Sequence, residues 1–154
     1  MIIIVDYGMG NLKNVYNALK YLNIPSKISN EISEIRSADK LILPGVGAFN
    51  KAMYNLNNTG LSDVIKDKVN SGTPLLGICL GMQMIFKKGY ENGICDGLGF
   101  IDGEVKLLAP TEKVKIPHIG WNRLEYSNKN DLIKGLEENS FVYYVHSYVA
   151  TNVK

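Results

Sequence analysis

The sequence predicts an α/β protein in which helices cover an open, mostly parallel β-sheet. In the first half of the chain, continuous apolar runs alternate with segments whose apolar residues recur every three or four positions. Strands separated by helices favour βαβ units, which place parallel strands side by side with right-handed crossovers. In the second half, strand-like runs follow one another and the helical periodicity fades. We therefore expect antiparallel strands there that extend the parallel sheet.

The individual elements follow from local patterns. The opening run MIIIVDY suits a strand that is buried on both faces. After it, an apolar stripe of helical period runs through LKNVYNALKYLN and ends before Pro25. The predicted strands are residues 1–7, 25–29, 40–49 with a glycine-rich end, 73–79, 101–108, 115–126 and 141–151. The predicted helices are residues 12–23, 31–38, 49–72 with a break near 57–60, and 80–89.

Length and composition indicate a globular protein and argue against several other classes. The 154 residues predict a single domain, residues 1–154, with 45% hydrophobic and 21% charged residues and a net charge of +2. The absence of a Lys/Arg run gives no case for nucleic acid binding, and no apolar stretch reaches the ~18 residues of a membrane helix. Cys79 and Cys95 do not form a disulfide framework. We expect reduced thiols and a cytoplasmic protein.

The segment GICLG, residues 77–81, has the layout of a nucleophile elbow. A sharp strand-to-helix turn crowds the backbone, so the positions two before and two after the nucleophile must be small. The helix that follows offers unpaired N–H groups and a positive dipole end, which favour a thiolate and a developing oxyanion. The alternative is that Cys79 is a small buried hydrophobe beside two packing glycines.

A second glycine-rich segment, LILPGVGAF, also ends a predicted strand. Parallel strands bring their carboxyl ends to one edge of the sheet, where ligands of open α/β sheets bind. Gly45 and Gly47 would let backbone N–H groups approach a substrate closely. A thiol together with such donors is the minimal equipment for acyl transfer. An ordinary tight turn would also explain the Pro-Gly pair.

These motifs together resemble a known family. PGVGAF followed by GICLGMQ is similar to the class I (triad-type) glutamine amidotransferases. The segments VDYGMGNLKNV, GLGFIDGEV and KIPHIGWN narrow the similarity to the glutaminase subunits of imidazole glycerol phosphate synthases, from residue 2 to about residue 150. The resemblance implies a three-layer, flavodoxin-like α/β fold. It also implies that ammonia released from glutamine serves histidine biosynthesis.

The resemblance assigns roles to individual residues. Cys79 would attack the side-chain amide of glutamine and form a γ-glutamyl thioester. Backbone N–H groups at Val46, Gly47 and Leu80 would form the oxyanion hole. The glutamine would be held by Gly47, Gln83, Ser147 and Tyr148. It implies no cofactor, and the two histidines and two cysteines show no metal-ligand spacing.

The family's partner is a (β/α)₈-barrel cyclase that forms a heterodimer with the glutaminase and receives its ammonia. The docking face would surround Asn11, Trp121 and Tyr143. Aromatic residues are enriched in such contact surfaces. The alternative for Trp121 is a core aromatic.

The sequence departs from the family at the catalytic base. The family takes its His and Glu from a later His-Pro-Glu stretch, which is absent here. His118 and His146 match family positions outside the triad. From the residues alone, His146 is the natural base candidate, with a hydrogen-bonded structural role as the alternative. Asp6, Glu104 and Glu125 are interpreted as solvated or capping residues. We therefore expect a C-terminally incomplete domain that does not hydrolyse glutamine at a useful rate by itself.

Two other functions remain open at this point. An amidotransferase subunit could instead feed ammonia to an amidinating synthetase of surface-sugar pathways. The chain could also be a catalytically incomplete subunit that binds its partner without turnover. A cysteine peptidase or deglycase of similar shape is disfavoured, because those enzymes need a histidine at or soon after the position that Leu80 occupies.

Overall fold

The computed structural model describes residues 1–110, 115–126, 130–137 and 139–154. The chain forms two compact units, of which the first comprises Met1–Lys106 and Ala150–Lys154 and the second comprises Leu107–Val149. The single domain expected for residues 1–154 stays a prediction. No helix in the described part of the chain is long and apolar enough to cross a membrane.

A four-stranded parallel sheet forms the centre of the first unit. Its strands are β1 (Ile2–Val5), β2 (Ser26–Ser29), β3 (Lys40–Gly45) and β4 (Leu75–Cys79), in the order β2-β1-β3-β4. Strands β1 and β3 lie inside the sheet, and their side chains from Ile3 to Val5 and from Leu41 to Leu43 are almost fully buried. The continuous apolar runs of the sequence therefore correspond to strands that are covered on both faces.

Five helices accompany these strands: α1 (Leu12–Tyr21), α2 (Ile32–Ser37), α3 (Phe49–Asn58), α4 (Leu61–Asn70) and α5 (Leu80–Met84). The predicted break in the long helical segment is present, with Gly60 at a φ of 72° between α3 and α4. The strand order reverses direction after β2, so right-handed crossovers place α1 on one face and α2, α3 and α4 on the other. The predicted α/β class with a mostly parallel sheet is confirmed.

The sequence predicts that the later strands extend the parallel sheet. In the structure they form separate sheets instead. They are β5 (Phe86–Gly89), β6 (Cys95–Asp96), β7 (Ile101–Leu107), β8 (His118–Arg123), β9 (Phe141–His146) and β10 (Tyr148–Thr151). Four of them form a separate sheet in the order β10-β7-β5-β6, and β8 and β9 form an antiparallel pair. The antiparallel pairs are therefore present, but in sheets of their own.

The predicted helix over residues 80–89 is also wrong beyond Met84. The backbone carbonyl of Met84 accepts a hydrogen bond from Leu98 N–H at 2.8 Å, and that of Ile85 accepts one from Phe100 N–H at 2.9 Å. A carbonyl used in this way no longer continues an i→i+4 ladder. The chain therefore leaves the helix and enters β5, where Phe86 is buried.

The last predicted strand, residues 141–151, is divided at Ser147. The carbonyl of Ser147 accepts a hydrogen bond from Leu108 N–H at 2.8 Å instead of continuing the β8–β9 ladder. Strand β9 thus ends at His146, and β10 begins at Tyr148.

A polar cluster around Glu104 ties β7 to its surroundings in the first unit. The Glu104 carboxylate pairs with Lys106 Nζ at 2.6 Å, and it accepts hydrogen bonds from the Tyr90 hydroxyl at 2.6 Å and from Asn152 Nδ2 at 3.1 Å. Lys106, then Tyr90, then Asn152 lower the pKa of Glu104 from its ordinary value of 4.5 to about 2. The sequence favours a solvated face for Glu104, because periodicity does not reveal Tyr90 and Asn152, which lie 14 and 48 residues away along the chain.

We expect Glu104→Gln to change how stability depends on pH. A carboxyl whose pKa is lowered by folding stabilises the protein above its unfolded pKa, and this contribution is lost as the pH falls toward the folded value. The difference in the free energy of unfolding between the parent protein and the variant should be largest above about pH 5 and should shrink toward about pH 2. Urea unfolding over this range measures it, with Glu125→Gln as an exposed control. A difference that does not vary with pH would contradict the assignment.

Candidate active site

Cys79 occupies the turn between strand β4 and helix α5. Its backbone has φ 55° and ψ −118°, a conformation that residues with a side chain rarely adopt. Such a residue costs of order 1–3 kcal/mol and persists only where the surrounding structure holds it. The thiol is exposed. This is the geometry of an elbow that lifts a nucleophile clear of the sheet.

The glycines around Cys79 are required by close backbone contacts. A Cβ on Gly81 would overlap the carbonyl oxygen of Leu43, and a Cβ on Gly77 would lie 2.5 Å from Cα of Met82. On the neighbouring strand, a Cβ on Gly45 would lie 2.8 Å from the backbone nitrogen of Gly81. Real Cβ atoms do not approach other atoms so closely. The elbow is therefore pressed against the end of β3.

The glycine-rich loop emerges beside the elbow. In the parallel pairing of β3 and β4, Gly45 is in register with Cys79. The loop continues through Val46, whose side chain is 51% exposed, to Gly47, which has a φ of 90°. A left-handed φ strains any residue with a side chain, so glycine suits this position. The structure thus brings together the two segments that the sequence predicted at one sheet edge.

Helix α5 carries two further predicted residues. Leu80, its first residue, has a buried side chain, so only its backbone is available to a ligand. The first N–H groups of a helix have no acceptor within the helix. Gln83 is half-buried and lies one helical turn after Cys79, so that both can face one pocket.

Two residues that the sequence analysis missed support the glycine-rich loop. The buried Tyr7 donates a hydrogen bond from its hydroxyl to the carbonyl of Pro44 at 2.8 Å. Burial, and secondly the negative charge of Cys79, raise the pKa of Tyr7 above its ordinary value, so the hydroxyl stays protonated and remains a donor. At the far end of the loop, the Glu91 carboxylate accepts the N–H of Phe49 at 2.8 Å.

The remaining acidic residue near this edge has a local role. Asp6 accepts a hydrogen bond from the Gly8 N–H at 3.0 Å, which closes the turn after β1. This is a role within the loop and not that of a helix cap, because α1 begins at Leu12 and has Asn11 at its N-cap. In residues 1–110, 115–126, 130–137 and 139–154, no three His, Cys, Asp or Glu side chains are grouped as metal ligands would be.

The other predicted site residues belong to different parts of the chain. Asn11 is exposed and directly precedes α1 in the first unit. In the second unit, Trp121 and Tyr143 are paired across β8 and β9, with ring centroids 5.5 Å apart in an edge-to-face arrangement. Their side chains are 70% and 54% exposed, so Trp121 is not a core aromatic. Ser147 and Tyr148 follow β9 and are half-buried.

His146 does not have the surroundings of a free general base. Its Nε2 lies 3.1 Å from Nδ1 of His118, and its Nδ1 lies 3.1 Å from the carbonyl oxygen of Tyr148. Both ring nitrogens are therefore engaged within the second unit. This arrangement favours the structural role over the role of a base.

We expect Gly81→Ala to disrupt the elbow. The added methyl group meets backbone rather than a flexible side chain, so the unfolding free energy should fall by about 3 kcal/mol or more. Gly72→Ala is the control for backbone strain without a close contact, because Gly72 has a φ of 94° and an added Cβ there would meet nothing within 4 Å. The positive φ alone should cost about 1–2 kcal/mol in this variant. Chemical denaturation compares the two variants, and equal losses would show that the close contact is not required.

Comparisons with known proteins agree with this geometry. The profile of the family described as "Glutamine amidotransferase class-I" matches residues 3–154. The imidazole glycerol phosphate synthase subunit HisH of Aquifex aeolicus is 49% identical over 147 residues, which are 95% of this chain and 70% of that protein. HisH of Bacillus subtilis is 47% identical over 152 residues, or 96% of this chain and 71% of that protein.

A solved structure, the crystal structure of a glutamine amidotransferase, shares the fold. It superposes with a TM-score of 0.73 at 20% identity and covers 100% of this chain and 76% of its own. The family profile and the HisH relatives cover nearly the whole sequence, including the Cys79 elbow and the glycine-rich loop. The chain belongs to the class I glutamine amidotransferase family.

Proposed function

We propose that this chain is the glutaminase subunit of imidazole glycerol phosphate synthase in histidine biosynthesis. The observation that carries the proposal is the strained Cys79 elbow in register with the glycine-rich loop after β3. The similarity to HisH proteins at 47–49% identity supports the same pathway. We also propose that residues 1–154 belong to a single glutamine amidotransferase domain.

The chemistry would proceed by acyl transfer. The Cys79 thiolate attacks the side-chain carbonyl carbon of glutamine, and the carbonyl π electrons move to the oxygen. Backbone N–H groups of Leu80 and of the Val46–Gly47 peptide stabilise this oxyanion. As the intermediate collapses, its nitrogen takes up the proton that the base removed from Cys79 and leaves as ammonia, and a γ-glutamyl thioester remains. Water then cleaves the thioester to glutamate and regenerates the thiol. Because His118 and His146 are paired with each other, the deprotonation of Cys79 requires another base.

Backbone and side-chain groups of three segments of the chain would hold the substrate. Gly47 supplies an exposed backbone position on the loop, and Gln83 an amide one turn after Cys79. Backbone groups of Ser147 and Tyr148 complete the proposed contacts with glutamine. No cofactor is needed, because the thiol and the backbone donors supply all of the polarisation that the amide requires.

The partner would be a (β/α)₈-barrel cyclase subunit in a cytoplasmic heterodimer that binds neither nucleic acid nor a membrane. The residues proposed to contact the cyclase are Asn11 in the first unit and Trp121 and Tyr143 in the second unit, and we refer to them as the proposed surface. Exposed aromatic residues of this kind are typical anchors of protein interfaces. Ammonia would pass to the cyclase through this contact, which excludes the solvent that would otherwise protonate it.

We expect a diazo-ketone analogue of glutamine to alkylate Cys79 selectively, and glutamine to protect it. Cys95 is the internal control, because burial, and secondly the charge of Asp96, raise the pKa of its thiol. Mass spectrometry after proteolysis measures the labelling, with and without the cyclase subunit from the same genome. Labelling needs the nucleophile, the loop and the glutamine pocket, but no hydrolysis. A folded protein that is not labelled under either condition would instead be the catalytically incomplete binding subunit.

We expect Trp121→Ala to weaken the complex with the cyclase by about thirtyfold, as for a central aromatic anchor. Tyr21→Ala is the matched control, since Tyr21 is an exposed aromatic outside the proposed surface. Titration calorimetry measures both affinities. Equal affinities of the parent protein and the Trp121 variant would remove Trp121 from the interface.

A further inference from the structure

The two histidines of this sequence face each other across the hairpin of β8 and β9. His118 is paired directly with His146, and Nδ1 of His118 lies 3.1 Å from Nε2 of His146. The ring of His118 also stacks on that of Tyr144, with centroids 4.9 Å apart. Both imidazoles are half-buried. Packing therefore restrains the rings in the orientation in which the two nitrogens meet.

A single backbone carbonyl determines the hydrogen positions on both rings. Nδ1 of His146 lies 3.1 Å from the carbonyl oxygen of Tyr148, which can only accept a hydrogen bond. Nδ1 of His146 must therefore carry its hydrogen, and Nε2 of the neutral ring becomes an acceptor. The facing Nδ1 of His118 must then be the donor. The result is a directed chain of hydrogen bonds from His118 through His146 to Tyr148.

This chain ends on the backbone that follows β9. The carbonyl of Ser147 accepts the Leu108 N–H at 2.8 Å, which fixes the peptide plane before Tyr148. The bond from His146 fixes the peptide plane after Tyr148. Both peptides that flank Tyr148 are thus held, and with them the directions of their N–H groups.

We propose that His118 and His146 are positioning residues that hold the Ser147–Tyr148 backbone in the orientation that binds glutamine. This inference rests on the proposed function, which assigns that segment to the substrate. His146 acts directly on the Tyr148 carbonyl, and His118 acts through His146. Neither ring takes a proton from Cys79 in this role.

The hydrogen positions can be observed directly. In the ¹⁵N-labelled chain at neutral pH, long-range ¹H–¹⁵N correlation spectra should show both imidazoles protonated at Nδ1 and not at Nε2. His146 should keep this tautomer in His118→Leu, because the Tyr148 carbonyl imposes it. A hydrogen on Nε2 of His146 in the parent protein would overturn the proposal.

The effect on the substrate site is measured by alkylation of Cys79 with the glutamine-analogue diazo-ketone at increasing concentration. In His146→Leu, the concentration of analogue that half-saturates labelling should rise about fivefold to tenfold, and the maximal labelling rate should not change. This is the effect expected when the hydrogen bond from His146 to the Tyr148 carbonyl is lost. His146→Asn should recover most of the affinity, since its amide N–H can replace Nδ1–H. Val145→Thr, an exposed neighbour, is the control.

The variants His118→Asn and His118→Leu are compared in the same way, at the residue that acts on the Tyr148 backbone through His146. Thermal melts confirm that each variant is folded. If His146→Leu does not fold, a lower affinity in His118→Leu than in His118→Asn supports the proposal. Unchanged half-saturation in a folded His146→Leu, or no recovery in His146→Asn, would overturn it. Iodoacetamide, which needs no glutamine pocket, should alkylate Cys79 equally in all variants. If the parent protein itself shows neither saturation nor protection by glutamine, the proposed function fails first and the positioning role fails with it.

Discussion

Gly81 lies so close to the carbonyl oxygen of Leu43 that only a hydrogen atom can occupy the space of a side chain. This contact presses the start of α5 against the end of β3 and leaves Cys79 no relaxed path from strand to helix. The cysteine therefore takes up a backbone conformation that it would not choose in isolation. The same contact brings the glycine-rich loop alongside, because Gly45 is in register with Cys79. The same packing contact therefore positions both the nucleophile and the candidate oxyanion donors.

The supports of the loop extend this arrangement in both directions. Tyr7, from the turn after β1, holds the Pro44 carbonyl at the start of the loop. Glu91 holds the N–H of Phe49 where the loop becomes α3. The intervening Val46 and Gly47 are exposed. A loop fixed at its ends and open at its centre can reorient one peptide without disturbing the sheet.

Much of this could be predicted from the sequence because the responsible forces are local. Continuous apolar runs identify strands buried on both faces, and small residues two positions either side of a cysteine indicate a crowded turn. The prediction of a helix to Gly89 was wrong because the carbonyls of Met84 and Ile85 bond to residues 98–100, a contact that no periodicity encodes. Tyr7, Glu91 and the His118–His146 pair were missed for the same reason, since their partners lie far along the chain.

The backbone of Cys79 has a consequence for how such a protein can change in evolution. A glycine at position 79 would fit the positive φ better than any residue with a side chain, so loss of the nucleophile would relieve strain and make the fold more stable. Selection for folding alone therefore pushes this position away from cysteine. Activity and stability are opposed at this one residue, and a lineage that no longer needed the thiol would be expected to lose it early.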